Sequence, residues 1–356
     1  MWQGNKGVWG IALMKKVSVI VSTARLGGID VLANSMALQT LPKEDFEIIV
    51  IDEWYPKRCK YENLYGLNLR FYPPDFGLDY YDPCNGCNTG LSYATGDLIC
   101  YLTDFIWVPS NYLEEHLKTF ALGNSRKESW SLSAYTVRYP FPVLNTREIY
   151  HVESGDDSTR RSFYIQSEAE HYVNLMKNKG VESTGQKTCD YTEEDLYFSI
   201  FKHDWTEDIA NVYFNTVVPQ YIETKGGVRN FQVTDELWTL PAMYFYAALN
   251  DSIPRKVLEE LNGWDERYDG GYAACDVDIG LRAEYIGHKF MVNPNFYTYK
   301  FGSHANTVVP KKEKKMIRGS EDNLEMLKKK VKDMELGASV ITPLGYGLDK
   351  HLKESK

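Results

Sequence analysis

The chain has 356 residues, 43% hydrophobic and 25% charged, enough for one large domain or two medium ones around an ordinary core. Its formal net charge of -9 argues against nucleic acid as the main partner, because a phosphate backbone needs a basic face. No apolar run approaches the ~18 residues that cross a bilayer, and the 26 tyrosines and 8 tryptophans supply amphipathic rings suited to stacking on sugars or bases.

Residues 1–13 read as an extension ahead of the fold, without the organisation of a signal peptide. That predicts a cytoplasmic protein whose 6 cysteines stay thiols. "VSVIVST" (17–23) is a β-branched run expected of a strand buried on both faces. In "GGIDVLANSMALQT" the apolar positions Ile29, Leu32, Ala33, Met36 and Ala37 recur at helical spacing. "FEIIVID" (46–52) is a second buried strand and "NLRFYPP" a short third. "NGCNTGLSYATG" (85–96) reads as a helix stopped by Gly96, "DLICYL" as the next strand, and "PSNYLEEHLKTF" as a helix reaching about Leu122. Strand and helix in alternation predict a parallel sheet with helices on both faces, where ligands bind at the carboxyl ends of strands. Asp52 and Asp104 fall at such ends.

From 139 to 240 the pattern weakens into a polar, Tyr-rich segment too long for a plain loop. Beyond it the sequence predicts a strand over 243–249, a helix over 254–261, a Gly-rich loop, a helix over about 276–285 and a strand near 290–292. After Pro310 comes a helix-like segment rich in Lys and Glu.

Four pieces, in order, carry a resemblance: "VSVIVST…SMALQTL…FEIIVIDE", "CNTGLSYATGDLICYLTDFIWVP", "LNGWDERYDGG" and "CDVDIGLRAEYIG". Together they resemble the family 2 glycosyltransferases of the GT-A fold. Each piece alone is weak, but four in register make a strong signal. The resemblance implies an α/β fold with a mostly parallel central sheet and helices on both faces. It implies a GT-A domain over 14–308, with 139–240 as a variable, acceptor-side insert and 309–356 as a charged helical tail.

The implied activity is an inverting transfer of a sugar from a nucleotide-sugar donor, UDP-linked by preference, to an acceptor hydroxyl of a glycan or lipid-linked partner. Mn2+ or Mg2+ would bridge the donor diphosphate as a Lewis acid. Asp104 stands at the family's metal-binding strand end, here reduced to Thr103-Asp104-Phe105, and His304 in "KFGSHAN" is the candidate second ligand. Asp276 is the implied general base, at the start of a helix whose dipole favours its ionised form. The family's preceding Glu is Cys275 here, and Asp278 is the weaker candidate. Thr23, Arg25 and Asp52 would meet the base and ribose, Asn88 the phosphate side, and Trp264, Asp265 and Glu266 the sugars.

Plainer readings stand beside these. Asp104 can cap a turn, Asp276 and Asp278 can complement a helix dipole, and Trp264 can be core. Cys84 and Cys87 spell CxxC, a weak zinc signal without a second pair. The basic tail suits either peripheral contact with an anionic membrane or, more simply, a solvated helix face. Two rival functions remain: a catalytically silent sugar- or nucleotide-binding relative, which Phe105 and Cys275 favour, and a nucleotidyltransferase, which lacks the expected Gly-rich basic loop.

Overall fold

The structure, a computed structural model, describes residues 17–24, 29–61, 64–80, 82–104, 106–139, 237–240, 250–301 and 314–352. Strand β1 (Val17–Thr23) pairs in parallel with β2 (Phe46–Asp52) on one side and β4 (Leu98–Thr103) on the other, while β3 (Leu69–Tyr72) extends the ladder beyond β2. These strands are apolar on both faces because helices cover both. On one face Val17, Val19, Val21, Cys100 and Leu102 pack with α1 (Ile29–Ala37) and α4 (Tyr112–Ser125). On the other, Ile20, Ile49, Ile51, Ile99 and Tyr101 pack with α3 (Pro83–Tyr93), α5 (Arg255–Glu260) and α6 (Cys275–Tyr285). A short α2 (Tyr55–Arg58) follows β2.

Helix α3 lies directly on β1. A Cβ at Gly86 would come within 2.4 Å of the Ser22 hydroxyl, and one at Gly90 within 2.4 Å of an Ile20 methyl. Two glycines one turn apart therefore set that close approach.

The second half of the sheet is mixed. β8 (Asn250–Pro254) runs antiparallel to both β4 and β6 (Trp130–Tyr139), and β6 pairs in parallel with the long β9 (Lys289–Phe301). β5 (Ile106–Trp107) and β7 (Trp238–Leu240) each add to β9 in antiparallel. The strand order is β3-β2-β1-β4-β8-β6-β9-β5, with β7 also on β9, giving nine strands among the described residues. This is the α/β arrangement expected, with a wholly parallel first half.

Three details differ from the sequence reading. β6 was not anticipated, and β9 runs well past the short strand expected near 290–292. The strand expected over 243–249 falls outside the described residues, and the described strand there begins at Asn250. Residues 1–13 and 140–236 also lie outside them, so neither the extension nor most of the insert is described.

The tail departs from the sequence reading as well. α7 (Ser320–Glu335) starts where Asp322 accepts the Gly319 N–H, and it packs Met326, Leu327 and Met334 onto the α3/α5/α6 core. Val340 and Leu348 join the same cluster, so this segment covers core and is not a solvated appendage. Among the described residues, no helix is long and apolar enough to cross a membrane.

Candidate functional site

The chain leaves β1 for β2 and β3 on one side, then returns to β4 on the other. The crevice between the carboxyl ends of β1 and β4 is thus the point where strand order reverses, the favoured ligand position in an open α/β sheet. Thr23 ends β1 and Asp104 follows β4 there. The Thr23 hydroxyl donates to Asp104 Oδ2 at 3.0 Å, and both residues are buried. Two predicted site residues, 81 positions apart, are joined by the fold. Arg25 and His304 lie outside the described residues, as does Phe105.

Asp276 sits in the first turn of α6, where its carboxylate accepts the Val277 N–H at 2.9 Å. Burial raises its pKa, and that backbone hydrogen bond opposes the rise. Ala273 and Ala274, just before it, hold φ of 71° and 75°. That left-handed backbone is costly for alanine. Asp278 faces inward instead, paired with Arg282 Nε at 2.7 Å and Lys330 Nζ at 2.7 Å. Its role is structural.

Several residues expected to meet the ligand are engaged with partners in the protein itself. Asp52 is fully buried and gives both oxygens to the protein: Arg58 Nε donates at 2.8 Å, Arg58 Nη2 at 2.6 Å and the Trp54 amide at 2.8 Å. Burial raises its pKa despite Arg58. Arg58 was missed because a basic residue six positions on looks like surface. Asn88 clamps the 264–266 loop, accepting the Trp264 N–H at 2.8 Å and donating to the Trp264 carbonyl at 2.9 Å and Glu266 at 3.0 Å. Trp264 is core, edge-on to Tyr101 with ring centroids 5.4 Å apart. Asp265 pairs with Arg267 at 2.6 Å and Lys330 at 2.8 Å. Burial pushes Asp265 up, but these cations outweigh it and hold the carboxyl below its usual range. Glu266 binds His351 and, at 2.8 Å, Lys350. Burial opposes ionisation of Glu266, yet His351, Asn88 and Lys350 lower its pKa overall.

This loop therefore works as a brace. Asp269, at its far end, accepts the Cys84 and Asn85 amides at 2.9 and 3.0 Å and so satisfies the open N-terminus of α3. Lys314 lies beyond the undescribed 302–313 stretch and bridges Glu53, after β2, to Asp82, before α3.

Asp251 was not anticipated. It occupies β8 opposite Tyr101 of β4 and Ser133 of β6, whose hydroxyl donates to it. Burial pushes its carboxyl up to about 8, with the charge of Asp276 adding to the rise. "LNDSIP" reads as a turn, so sequence alone hides an acid on a strand.

For a cation, no three His, Cys, Asp or Glu side chains converge as a binding set among the described residues. The donor set at the crevice fits only an ion held by Asp104 and mainly by a ligand's own oxygens.

No family model matches the chain, and no curated protein matches it. Solved structures similar to it include TarS 1-349 of S. aureus, 16% identical with a TM-score of 0.44, covering 80% of this chain and 60% of that one. The mannosyltransferase PcManGT of Pyrobaculum calidifontis in complex with GDP-Man and Mn2+ is 13% identical, with a TM-score of 0.42 over 81% of this chain and 57% of that one. GalNAc-T7 with UDP, GalNAc and Mn2+ is 12% identical, with a TM-score of 0.46 over 82% and 44%. The chain spans about three-fifths or less of the length of these structures.

Proposed function

We propose that the protein is a nucleotide-sugar-dependent glycosyltransferase of the inverting kind. The observation that carries the reading is the Thr23–Asp104 hydrogen bond across the reversal of strand order, in the segments that resemble the GT-A motifs. A UDP-linked donor would lie in that crevice with its diphosphate toward Asp104. A bound Mn2+ or Mg2+, held by Asp104 and by His304 if that loop reaches it, would neutralise charge on the departing diphosphate.

Asp276 is the general base of this reading. Its carboxylate takes the proton of the acceptor hydroxyl as that oxygen attacks the anomeric carbon from the side opposite the leaving group, so configuration inverts. The Val277 amide and the helix N-terminus orient Asp276 and oppose the rise in its pKa that burial causes. The acceptor would be a glycan or lipid-linked sugar, recognised through 139–240. Peripheral contact with an anionic membrane belongs to the same reading, through exposed Leu336 and Leu344 in the tail that carries Lys328, Lys329 and Lys332. Co-sedimentation with anionic but not neutral vesicles tests that contact.

Calorimetry with UDP, with and without Mn2+, tests the main reading alongside a thermal-shift screen of nucleotide sugars. UDP binding that needs the ion is expected, with slow hydrolysis of one UDP-sugar. Asp276→Asn should keep that binding and lower turnover by about 10²–10⁴-fold. Metal-independent binding without turnover, indifferent to Asp276→Asn, would make the protein a silent binding relative.

A further inference from the structure

Trp54 lies in the turn that follows β2, at the carboxyl edge of the sheet. The Glu53 amide donates to the Thr23 carbonyl at 3.1 Å and so carries the β1–β2 ladder one residue further. The Trp54 amide donates to Asp52 at 2.8 Å, and the Trp54 carbonyl accepts the Lys57 amide at 2.9 Å as α2 begins. The indole Nε1–H donates to the Ala24 carbonyl at 2.8 Å. The ring is thus fixed against the residue that follows Thr23, and it is half-buried. The Lys57 ammonium stands 5.9 Å from its centroid, which adds positive charge beside the ring.

Asp52 and Arg58 close the same turn from inside. Arg58 ends α2 and reaches back to Asp52 with hydrogen bonds of 2.8 and 2.6 Å. Both residues are fully buried. The carboxylate that would accept a base N–H is therefore engaged within the protein, while the indole of the same turn keeps part of its surface outside. On the other side of β1, the Thr23 hydroxyl meets Asp104. Neighbouring strands stand about 4.8 Å apart, so the edge from β2 to β4 is about 10 Å wide. That width suits a nucleoside with its diphosphate, the base over Trp54 and the phosphates toward Asp104. Ser22 lies between Ile51 and Thr103 in the ladder and is nevertheless exposed, so the edge is open at the middle of the sheet.

We propose that Trp54 is the nucleobase platform of the donor site and that it gives the site a broad base specificity. The inference rests on the glycosyl-transfer reading of the crevice and concerns which donors it takes. A ring face attracts any base, because every base has a π-face. Strong discrimination needs a donor or acceptor aimed at the base edge, and Asp52 is turned away from that task.

Calorimetry of the full-length protein with UDP, GDP and inorganic pyrophosphate, each with Mn2+, tests the platform. UDP and GDP are expected to bind within about tenfold of each other. Trp54→Ala should weaken both by about ten- to a hundredfold and leave pyrophosphate binding unchanged, which also shows that the variant is folded. Trp54→Phe and Trp54→Leu are the second comparison should Trp54→Ala misfold: both are apolar, but only the phenylalanine variant should keep most of the nucleotide affinity. A larger preference for one base, or nucleotide binding that the Trp54 variants leave unchanged, overturns the platform while the glycosyl-transfer reading stands. Binding of neither nucleotide overturns both.

Discussion

Ala273 and Ala274 hold the backbone that aims Asp276, and both do so with positive φ. An L-residue pays roughly 1–2 kcal/mol for that conformation, whereas glycine adopts it freely. Ala274→Gly should therefore stabilise the protein by about 0.5–1 kcal/mol, after glycine's larger loss of chain entropy. It should also slow turnover, because the first turn of α6 is held less firmly. Urea denaturation checks the first effect, and a loss of stability would show that the strain is absent. The placement of Asp104 just after β4 and of Asp276 in the first turn of α6 was legible in the sequence, because a clear strand or helix pattern fixes each position. The loop Trp264-Asp265-Glu266 was equally legible as a motif, yet its side chains turn inward. Whether a polar loop faces a ligand or braces a helix depends on partners such as Asn88, Lys330 and His351, which lie 65–176 positions away and leave no local signal.

Helix α7 shows the same point for whole elements. Its existence was readable from composition, but its docking was not, because Lys330 looks like any other lysine in a charged run. In the fold Lys330 joins Asp265 and Asp278, two carboxylates with side chains only 1% exposed. Removing the cation leaves both less compensated, although Arg267 and Arg282 remain. Lys330→Ala should cost about 2–4 kcal/mol near neutral pH. Asp265 is held below its usual range, so its contribution is full above the unfolded carboxyl value near 4 and is lost as pH falls through the folded one. The gap between wild type and Lys330→Ala should accordingly narrow in acid. Urea unfolding of both proteins at neutral and acidic pH measures it, and a gap that widens in acid would contradict the pairing. Strand β6 was missed for another reason: in "WSLSAYTVRY" the buried serines Ser131 and Ser133 find their partners in His288 and in Asp251 of β8.

At the scale of the molecule, the parallel half of the sheet followed directly from long β-branched runs and intervening helices. The mixed half did not, because its pairings join segments as far apart as 130 and 289 and its strands are short or partly polar. The C-terminal segment covers the α3/α5/α6 face of the sheet from outside. Met334, Val340 and Leu348 bury their side chains in the cluster that holds Leu261, Trp264 and Tyr268. At about 1.5–3 kcal/mol for each buried apolar side chain, these three rival the whole net stability of a typical domain, about 5–15 kcal/mol. The His351 ring adds a polar latch, lying 3.0 Å from Asp75 and also bonded to Glu266, so it ties the segment to the loop before α3 and to the brace at once. A chain ending at residue 313 would uncover this cluster and leave Asp75, Asp82 and Glu266 without their C-terminal partners His351, Lys314 and Lys350. It should bind a hydrophobic dye, lose its cooperative thermal transition and fail to bind nucleotide, even though Thr23, Asp104 and Asp276 are all retained. Calorimetry of the shortened chain decides the matter: a cooperative transition at the full-length temperature would mean that the C-terminal segment is an accessory to the fold and not a part of its core.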